Sequence, residues 1–435
     1  MKPFPGLLPT IAFAVASSFC LAQEPVPVPD PALVPVPATE FETGVLLSAA
    51  ALLPADLLKG PSHRVREQVP TDGYMAHFTI DTDFGVFTAI GLPQVEKRII
   101  EAEAVGKLVA TSKSDLFAEG LKRSIEQPID AVKNIVTNPV KSVKAAPKTV
   151  GHFFGKVGRS IGRGVDKVAD RARSDEPAPS VEEVGGGIGE TAKNIAGFDK
   201  AKLDTAKQLG VDPYSDNVRL QEEMEKVTWA FFAGGLPLRI GASVASAGLA
   251  VAATNMVGVP EETYALTQSE LTLLDEKSLT KMGVSVADIE GFQRNPSLST
   301  TRRHAIVISL ETLEGVAGRG LLVQLANATT TPQQADFLVT AIQMLAERQR
   351  SGSAKYSSLK VIGRLPSAIT ATGEQHVPAP VDHVTWTEGV AGFAQRTDLG
   401  TEPKVFIHTG ALSPAAAAGI SAAGWKIVAV PYPSR

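Results

Sequence analysis

Two patterns of apolar and polar residues follow one another along the chain, and each predicts a different kind of structure. Residues 74–82 and 84–90 alternate apolar and polar side chains around a turn at Asp83, which is typical of a β-hairpin. Before them, the apolar residues 41–58 predict a short helix interrupted at Pro54. From position 93 to position 350 apolar residues recur mostly at helical spacing, so we expect a hairpin followed by many helices.

The later helices carry clear start signals. Residues 198–210 and the segment that begins at 218 each predict a helix, with a polar turn between them. Residues 267–350 predict four or five helices. Three of these begin after a hydroxyl side chain that can cap them: Thr267, Ser285 and Thr331.

After Gly352 the helical spacing gives way to short strand-like runs. These runs occupy residues 359–363, 367–372, 383–386, 404–408 and 426–430, with helices predicted at 390–396 and 414–423. Strands that alternate with helices predict parallel β–α–β connections. The fold class is therefore α+β: mostly helical, with a short N-terminal β-hairpin and a small C-terminal α/β domain.

Shifts in composition predict six regions. They are a signal peptide (1–22), a Pro-rich spacer (23–40), a hairpin with basic amphipathic helices (41–173), a flexible Gly-rich and acidic linker (174–197), a helical domain (198–350) and the α/β domain (351–435).

The first region predicts export. Lys2 gives a positive start, residues 7–19 are apolar and uncharged, and Ala22 offers a small residue before a cleavage site. We expect a periplasmic or secreted protein. Cys20, the only cysteine, lies in the segment expected to be removed; lipoprotein anchoring there is disfavoured because Phe19 precedes it. The mature chain then has no disulfide-linked partner and no cysteine-ligated metal.

Charge is segregated along the chain, although the net charge is only −4. Residues 121–173 contain twelve Lys or Arg against four Asp or Glu. Within them, residues 150–168 predict a basic amphipathic helix with a glycine edge. Its candidate contact residues for a membrane or a partner are Phe153, Phe154, Lys156, Arg159, Arg163 and Lys167. A neighbouring helix of the same protein or an anionic membrane surface could face this helix, whereas nucleic acid is not expected because no aromatic side chains interleave the basic ones.

Two further segments leave alternatives open. Residues 240–259 are uncharged and rich in small side chains, which suits either a buried helix or membrane insertion. In the turn before position 218, Asp212, Asp216 and Asn217 could coordinate calcium, but capping of the following helix is the simpler explanation.

Several stretches together resemble an uncharacterised group of exported bacterial proteins. They are the hairpin at 74–90, the proline-punctuated run to Val168, the turn at 210–217 and the residues 409–414. The resemblance covers most of the mature chain. It implies export and supplies no activity, ligand or site residue.

Candidate chemistry lies in the C-terminal domain, because open α/β sheets bind ligands beyond the carboxyl ends of their strands. Glu388 and His408 could act as acid or base, and Ser413 with the following backbone amides could hold an anion. Helix capping is the better explanation for Ser413, because Pro414 follows it, and Thr387 could cap a helix as well. No hydrolase, zinc-protease or nucleotide-loop motif is present, and we predict no cofactor and no metal.

These observations favour a non-enzymatic protein of the bacterial envelope, or an interaction protein, that uses the basic helix to reach an anionic membrane or a protein partner. Two alternatives stay open. The first is a hydrolase-like or ligand-binding C-terminal domain, and the second is a secreted effector that inserts residues 240–259 into a membrane.

Overall fold

A computed structural model of the chain describes residues 40–126, 186–238, 240, 259–397 and 399–433. Several predicted segments lie outside these ranges: the signal peptide, almost all of the spacer, residues 241–258 of the uncharged segment, and the basic helix with Phe153, Phe154, Lys156, Arg159, Arg163 and Lys167. Within the described ranges, no helix is both long enough and apolar enough to cross a bilayer.

The N-terminal region contains the predicted hairpin. Strand β4 (His77–Thr82) pairs with β5 (Gly85–Ile90) in antiparallel register, and Thr82 lies opposite Gly85 across a two-residue turn. Strand β2 (His63–Val65) extends the sheet beside β4, which the sequence did not predict. The hairpin itself is confirmed.

The predicted helix at 41–58 is wrong in part. Its first half contains the strand β1 (Leu46–Ser48), which pairs antiparallel with β3 (Gln68–Pro70), and only two short helices follow, α1 (Ala49–Leu52) and α2 (Ala55–Leu58). Pro54 precedes α2 in an extended conformation, as expected of a residue that cannot continue a helix. The pairing with β3 overrides the helical spacing of the segment.

A helical layer follows the hairpin. It consists of α3 (Leu92–Thr111), α4 (Asp115–Glu126), α5 (Gly186–Leu209), α6 (Val218–Ala233), α7 (Gln268–Lys281), α8 (Val286–Arg294), α9 (Thr300–Thr312), α10 (Arg319–Asn327) and α11 (Pro332–Arg350). The three predicted caps are confirmed, since Thr267, Ser285 and Thr331 each accept a hydrogen bond from a backbone N–H in the first turn of their helix.

Helix α5 begins at Gly186, inside the segment predicted as a flexible linker (174–197). That prediction relied on the acidic, glycine-rich composition of the segment, and glycine is a poor helix former. The described half of α5 packs tightly: Phe198 is buried, and its ring meets those of Trp229 and Phe232 on α6 edge-on or nearly so. Tertiary packing of this kind outweighs local propensity.

The C-terminal region is built on a five-stranded mixed sheet with the order β12-β10-β8-β7-β6. Its strands are β6 (Tyr356–Ile362), β7 (Leu365–Thr370), β8 (Gln375–Ala379), β10 (Lys404–His408) and β12 (Trp425–Ala429). Strands β8, β10 and β12 run parallel, as the predicted β–α–β connections require, although the sequence did not predict β8 itself. Strand β7 pairs antiparallel with β8, and β6 pairs antiparallel with β7. Helices α12 (Glu388–Ala394) and α13 (Pro414–Ala422) connect the parallel strands, with a small strand pair, β9 (His383–Val384) and β11 (Ala411–Leu412), beside them.

The α+β fold class is confirmed. All described residues fall in one compact unit, and hydrogen bonds cross the boundaries that the sequence predicts between domains. Glu42, near the start of the described chain, donates its backbone N–H to the carbonyl of Trp386 at 2.9 Å and accepts the N–H of Trp386 on its carboxylate at 2.6 Å. The N-terminal region is thereby fixed against the C-terminal sheet.

Candidate functional site

A cleft of about 750 Å³ lies in the described part of the structure. Its floor is the edge of the C-terminal sheet at which β8 and β10 end, and Ala379 and Phe406 contribute to it. One wall comes from the N-terminal region, where Tyr74 lies before β4 and Gln94 lies in the first turn of α3. The opposite wall is the N-terminal half of α11. We call this feature the apolar cleft.

Apolar side chains dominate the lining of the apolar cleft. They include Tyr74, Met75, Ile90, Leu325, Phe337, Val390, Phe393 and Phe406. Binding sites for small molecules are usually concave, of about 300–1,000 Å³, and lined in this way with a few polar groups. The position also follows the rule that α/β sheets bind ligands beyond the carboxyl ends of their strands.

Three charged residues line the apolar cleft. Asp72 accepts the backbone N–H groups of Tyr74 and Met75, and its second oxygen lies 3.0 Å from Nε2 of His77. Asp336, on α11, accepts a hydrogen bond from Arg302 on helix α9. The third residue, Arg364, lies exposed in the turn between β6 and β7.

A buried carboxylate fastens the N-terminal wall of the cleft to the sheet. Asp382 follows β8 and is 3% exposed. Its Oδ2 accepts the backbone N–H of Ala76 at 2.9 Å, and its Oδ1 accepts the N–H of Leu92 at 3.1 Å and the hydroxyl of Tyr432 at 2.7 Å. Leu92 is the first residue of α3, and Gly91 before it offers no capping side chain, so Asp382 caps this helix from a distant part of the chain.

Burial has the largest effect on the pKa values of Asp382 and Tyr432. It raises the pKa of the Asp382 carboxyl, although the three donated hydrogen bonds act in the opposite direction. Burial and the neighbouring Asp382 carboxylate also raise the pKa of the Tyr432 hydroxyl well above its ordinary value. Tyr432 therefore remains a hydrogen-bond donor at neutral pH.

A second, more polar cleft of about 420 Å³ adjoins the first. The two share a boundary formed by Pro93, Gln94, Asp336, Thr340 and Tyr432.

The second cleft is lined by part of a network of ion pairs between helices. Arg302, on α9, binds Asp336 through two donated hydrogen bonds, from Nε at 2.6 Å and from Nη2 at 3.0 Å, and it binds Asp216 at 2.7 Å. Arg98, on α3, binds Asp216 from the other side at 2.5 Å. Burial would raise the pKa of the Asp216 carboxyl, but the two arginines outweigh it and hold this pKa well below its ordinary value.

The calcium alternative for the turn at 211–217 is not supported. Asp212 pairs with Lys97 at 2.8 Å, Asp216 pairs with two arginines, and Asn217 caps α6 by accepting the N–H of Leu220. Within the described parts of the chain, no group of three or more histidine, cysteine, aspartate or glutamate side chains is placed to hold a metal ion.

The three candidate residues predicted from sequence line neither cleft. Glu388 is exposed at the first position of α12. His408 is buried, its Nδ1 lies 2.8 Å from the carbonyl oxygen of Gly410, and burial lowers the pKa of its imidazole. Ser413 caps α13 and donates its hydroxyl to Glu42 at 2.5 Å. The structure thus engages Ser413 and His408 in hydrogen bonds within the protein, and none of the three residues lines either cleft.

Sequence reasoning missed the residues that shape the apolar cleft. Asp382 lies three positions after β8. Ligands bind beyond the carboxyl ends of strands in α/β sheets, which we call the rule of strand ends, and this rule would have indicated Asp382 if β8 had been predicted. Arg364 and Tyr432 give no signal in the sequence alone. Comparisons with protein-family models, with curated proteins and with solved structures find no match to this chain.

Proposed function

We propose that this chain is a binding protein for a small, mostly apolar molecule, which it holds in the apolar cleft. The observation that carries the proposal is the cleft itself: about 750 Å³, at the carboxyl ends of parallel strands, with predominantly apolar walls from three regions of the chain. The predicted signal peptide places this binding outside the cytoplasm, and that part of the proposal depends on the sequence alone.

The engagement of the acidic side chains supports binding rather than catalysis. A general base must lie within hydrogen-bond reach of the proton that it removes and be aimed at it. Asp72 accepts two backbone N–H groups and faces His77, and Asp382 accepts three hydrogen bonds. The carboxylate of Asp336 is bound on both oxygens by Arg302. Each of these carboxylates already contributes to holding the cleft in shape.

A cavity-filling variant tests the proposal. Gly389, on α12, lines the apolar cleft, and the only neighbour that a Cβ there would meet is Oγ1 of Thr387, at 3.9 Å. We expect Gly389→Phe to place a ring at the lining of the cleft, and the added Cβ would meet no backbone atom of the described residues within 4 Å. Gly392, on the same helix, is exposed and lines neither cleft, and a Cβ added there would have no neighbour within 4 Å, so Gly392→Phe is the matched control.

The measurement is titration with Nile red, an uncharged dye whose fluorescence rises in apolar surroundings. We expect Gly389→Phe to weaken dye binding at least tenfold, and Gly392→Phe to leave it unchanged. Both variants should fold, because replacing glycine inside a helix stabilises it by about 0.5 kcal/mol. Equal dye binding by wild type and Gly389→Phe would exclude the apolar cleft as the site.

A further inference from the structure

The charges that line the apolar cleft differ in whether they already have a partner. Asp336 accepts hydrogen bonds from Nε and Nη2 of Arg302, one on each carboxylate oxygen. Asp72 has both oxygens engaged, one by two backbone N–H groups and the other by His77. Both acidic side chains therefore already have a hydrogen-bond partner on each carboxylate oxygen.

Arg364 is the exception. It forms no hydrogen bond or ion pair with any residue that the structure describes, and it lies beside the apolar lining. A guanidinium stays charged at all physiological pH values and presents paired N–H donors in a plane that fits a carboxylate. The apolar cleft therefore combines an extended apolar surface with one cation that has no partner among the described residues.

The turn that carries Arg364 has a defined shape. The preceding residue, Gly363, has a φ of +60°, in the left-handed region that favours glycine. A Cβ at Gly363 would also lie only 2.7 Å from Nη1 of Arg396, so a second guanidinium packs against the same turn. Both features fix the backbone from which Arg364 extends to the rim of the cleft.

We propose that the apolar cleft binds an amphipathic carboxylate, with the apolar part against the cleft walls and the carboxylate on the guanidinium of Arg364. This inference rests on the proposed binding function and specifies the class of ligand. The difference in partners carries it: Asp72 and Asp336 already have hydrogen-bond partners on both carboxylate oxygens, whereas Arg364 has no partner among the described residues.

Three probes that share an alkyl chain and differ in the head group test the inference: decanoate, decanol and decyltrimethylammonium. Isothermal titration of the full chain should give decanoate the highest affinity, about fivefold above decanol, as expected for an ion pair at an exposed position. Arg364→Gln should remove this preference for decanoate and leave decanol binding unchanged. Arg364→Lys, which keeps the charge but not the planar pair of donors, should restore part of the preference.

The matched control is Arg64→Gln, which removes an exposed arginine from β2 that lines neither cleft. It should leave the binding of all three probes unchanged. Decanoate affinity that is unaffected by Arg364→Gln, or equal affinity for the three probes, would overturn the ligand class while leaving the binding function intact. If none of the probes and no Nile red binds, the proposed function fails together with the inference.

Discussion

Replacing the buried carboxylate that joins the N-terminal wall to the sheet should both destabilise the protein and loosen the apolar cleft. Asp382→Asn keeps the size of the side chain. An amide oxygen at the position of Oδ1 can still accept the N–H of Leu92 and the hydroxyl of Tyr432. The amide nitrogen then occupies the position of Oδ2, where it faces the N–H of Ala76, and two donors cannot pair.

The magnitude follows from the lost interaction. A hydrogen bond to a charged group contributes about 1.5–3 kcal/mol, and a buried donor left unpaired costs about 1–3 kcal/mol. Asparagine also removes a cost, because burial raises the pKa of Asp382 and so disfavours its ionised form in the folded state. We therefore expect Asp382→Asn to lower the free energy of unfolding at neutral pH by about 2–3 kcal/mol.

The pH dependence of this effect has a definite sign. A carboxyl whose pKa is higher in the folded than in the unfolded state makes stability fall as pH rises above the unfolded value, about 3.9. Asparagine does not titrate, so the difference between wild type and variant should be largest at the acidic end of this window and smaller above it.

The assay is urea unfolding followed by tryptophan fluorescence, with Nile red titration as a second readout. Asp83→Asn, at the exposed hairpin turn, is the control and should change stability by less than about 0.5 kcal/mol. We expect the Asp382 variant to bind the dye more weakly than wild type does. A variant with wild-type stability and wild-type dye affinity would refute the role of Asp382 in joining the two regions.

Two further predictions concern charge elsewhere in the chain. Because ion pairing lowers the pKa of Asp216, the protein should lose stability as the pH falls below about 3.9. Asp216→Asn should lower the free energy of unfolding at neutral pH by about 2 kcal/mol, and urea unfolding should show a shallower loss of stability in acid. An unchanged pH profile of stability would contradict this reasoning. The predicted basic helix should bind vesicles that contain anionic lipid, and this binding should weaken with added salt and with the substitutions Arg159→Glu, Arg163→Glu and Lys167→Glu. Co-sedimentation with vesicles measures the binding. If neither salt nor the substitutions change the bound fraction, membrane contact through this helix is excluded.

The sequence predicts well those elements whose signal is local. Thr267 caps α7 within three residues of itself, and the capping box with Glu270 is complete. The hairpin is likewise predicted by alternation over a short span. In both cases the residues that determine the structure are neighbours along the chain.

Strand β8 shows why other elements escape prediction. It contains Pro378, which lacks an N–H and is unusual in a central strand, and two polar residues, Gln375 and His376. All five residues of the strand are nevertheless buried, because β7 and β10 flank it and helices cover the sheet. Burial of this kind depends on long-range packing, and the spacing of residues along the sequence does not report such packing.

The same limit applies to the site. The rule of strand ends identifies the edge of the sheet at which the apolar cleft lies, but not the residues that line the cleft. Asp382 and Ala76 are 306 positions apart, as Glu42 and Trp386 are 344 positions apart. No local pattern predicts that these pairs meet, and therefore none predicts a cleft whose walls they hold together.

The contacts of Asp382 also connect ligand binding to the stability of the fold. Tyr432 lines both clefts and donates to Asp382, while Leu92 precedes Pro93 and Gln94 at their shared boundary. A ligand in the apolar cleft therefore touches the segments that this carboxylate joins. Coupling between two binding equilibria is reciprocal. If Asp382→Asn weakens ligand binding by some factor, a saturating ligand must strengthen the contacts made by Asp382 by the same factor, and it must raise the stability of wild type more than that of the variant.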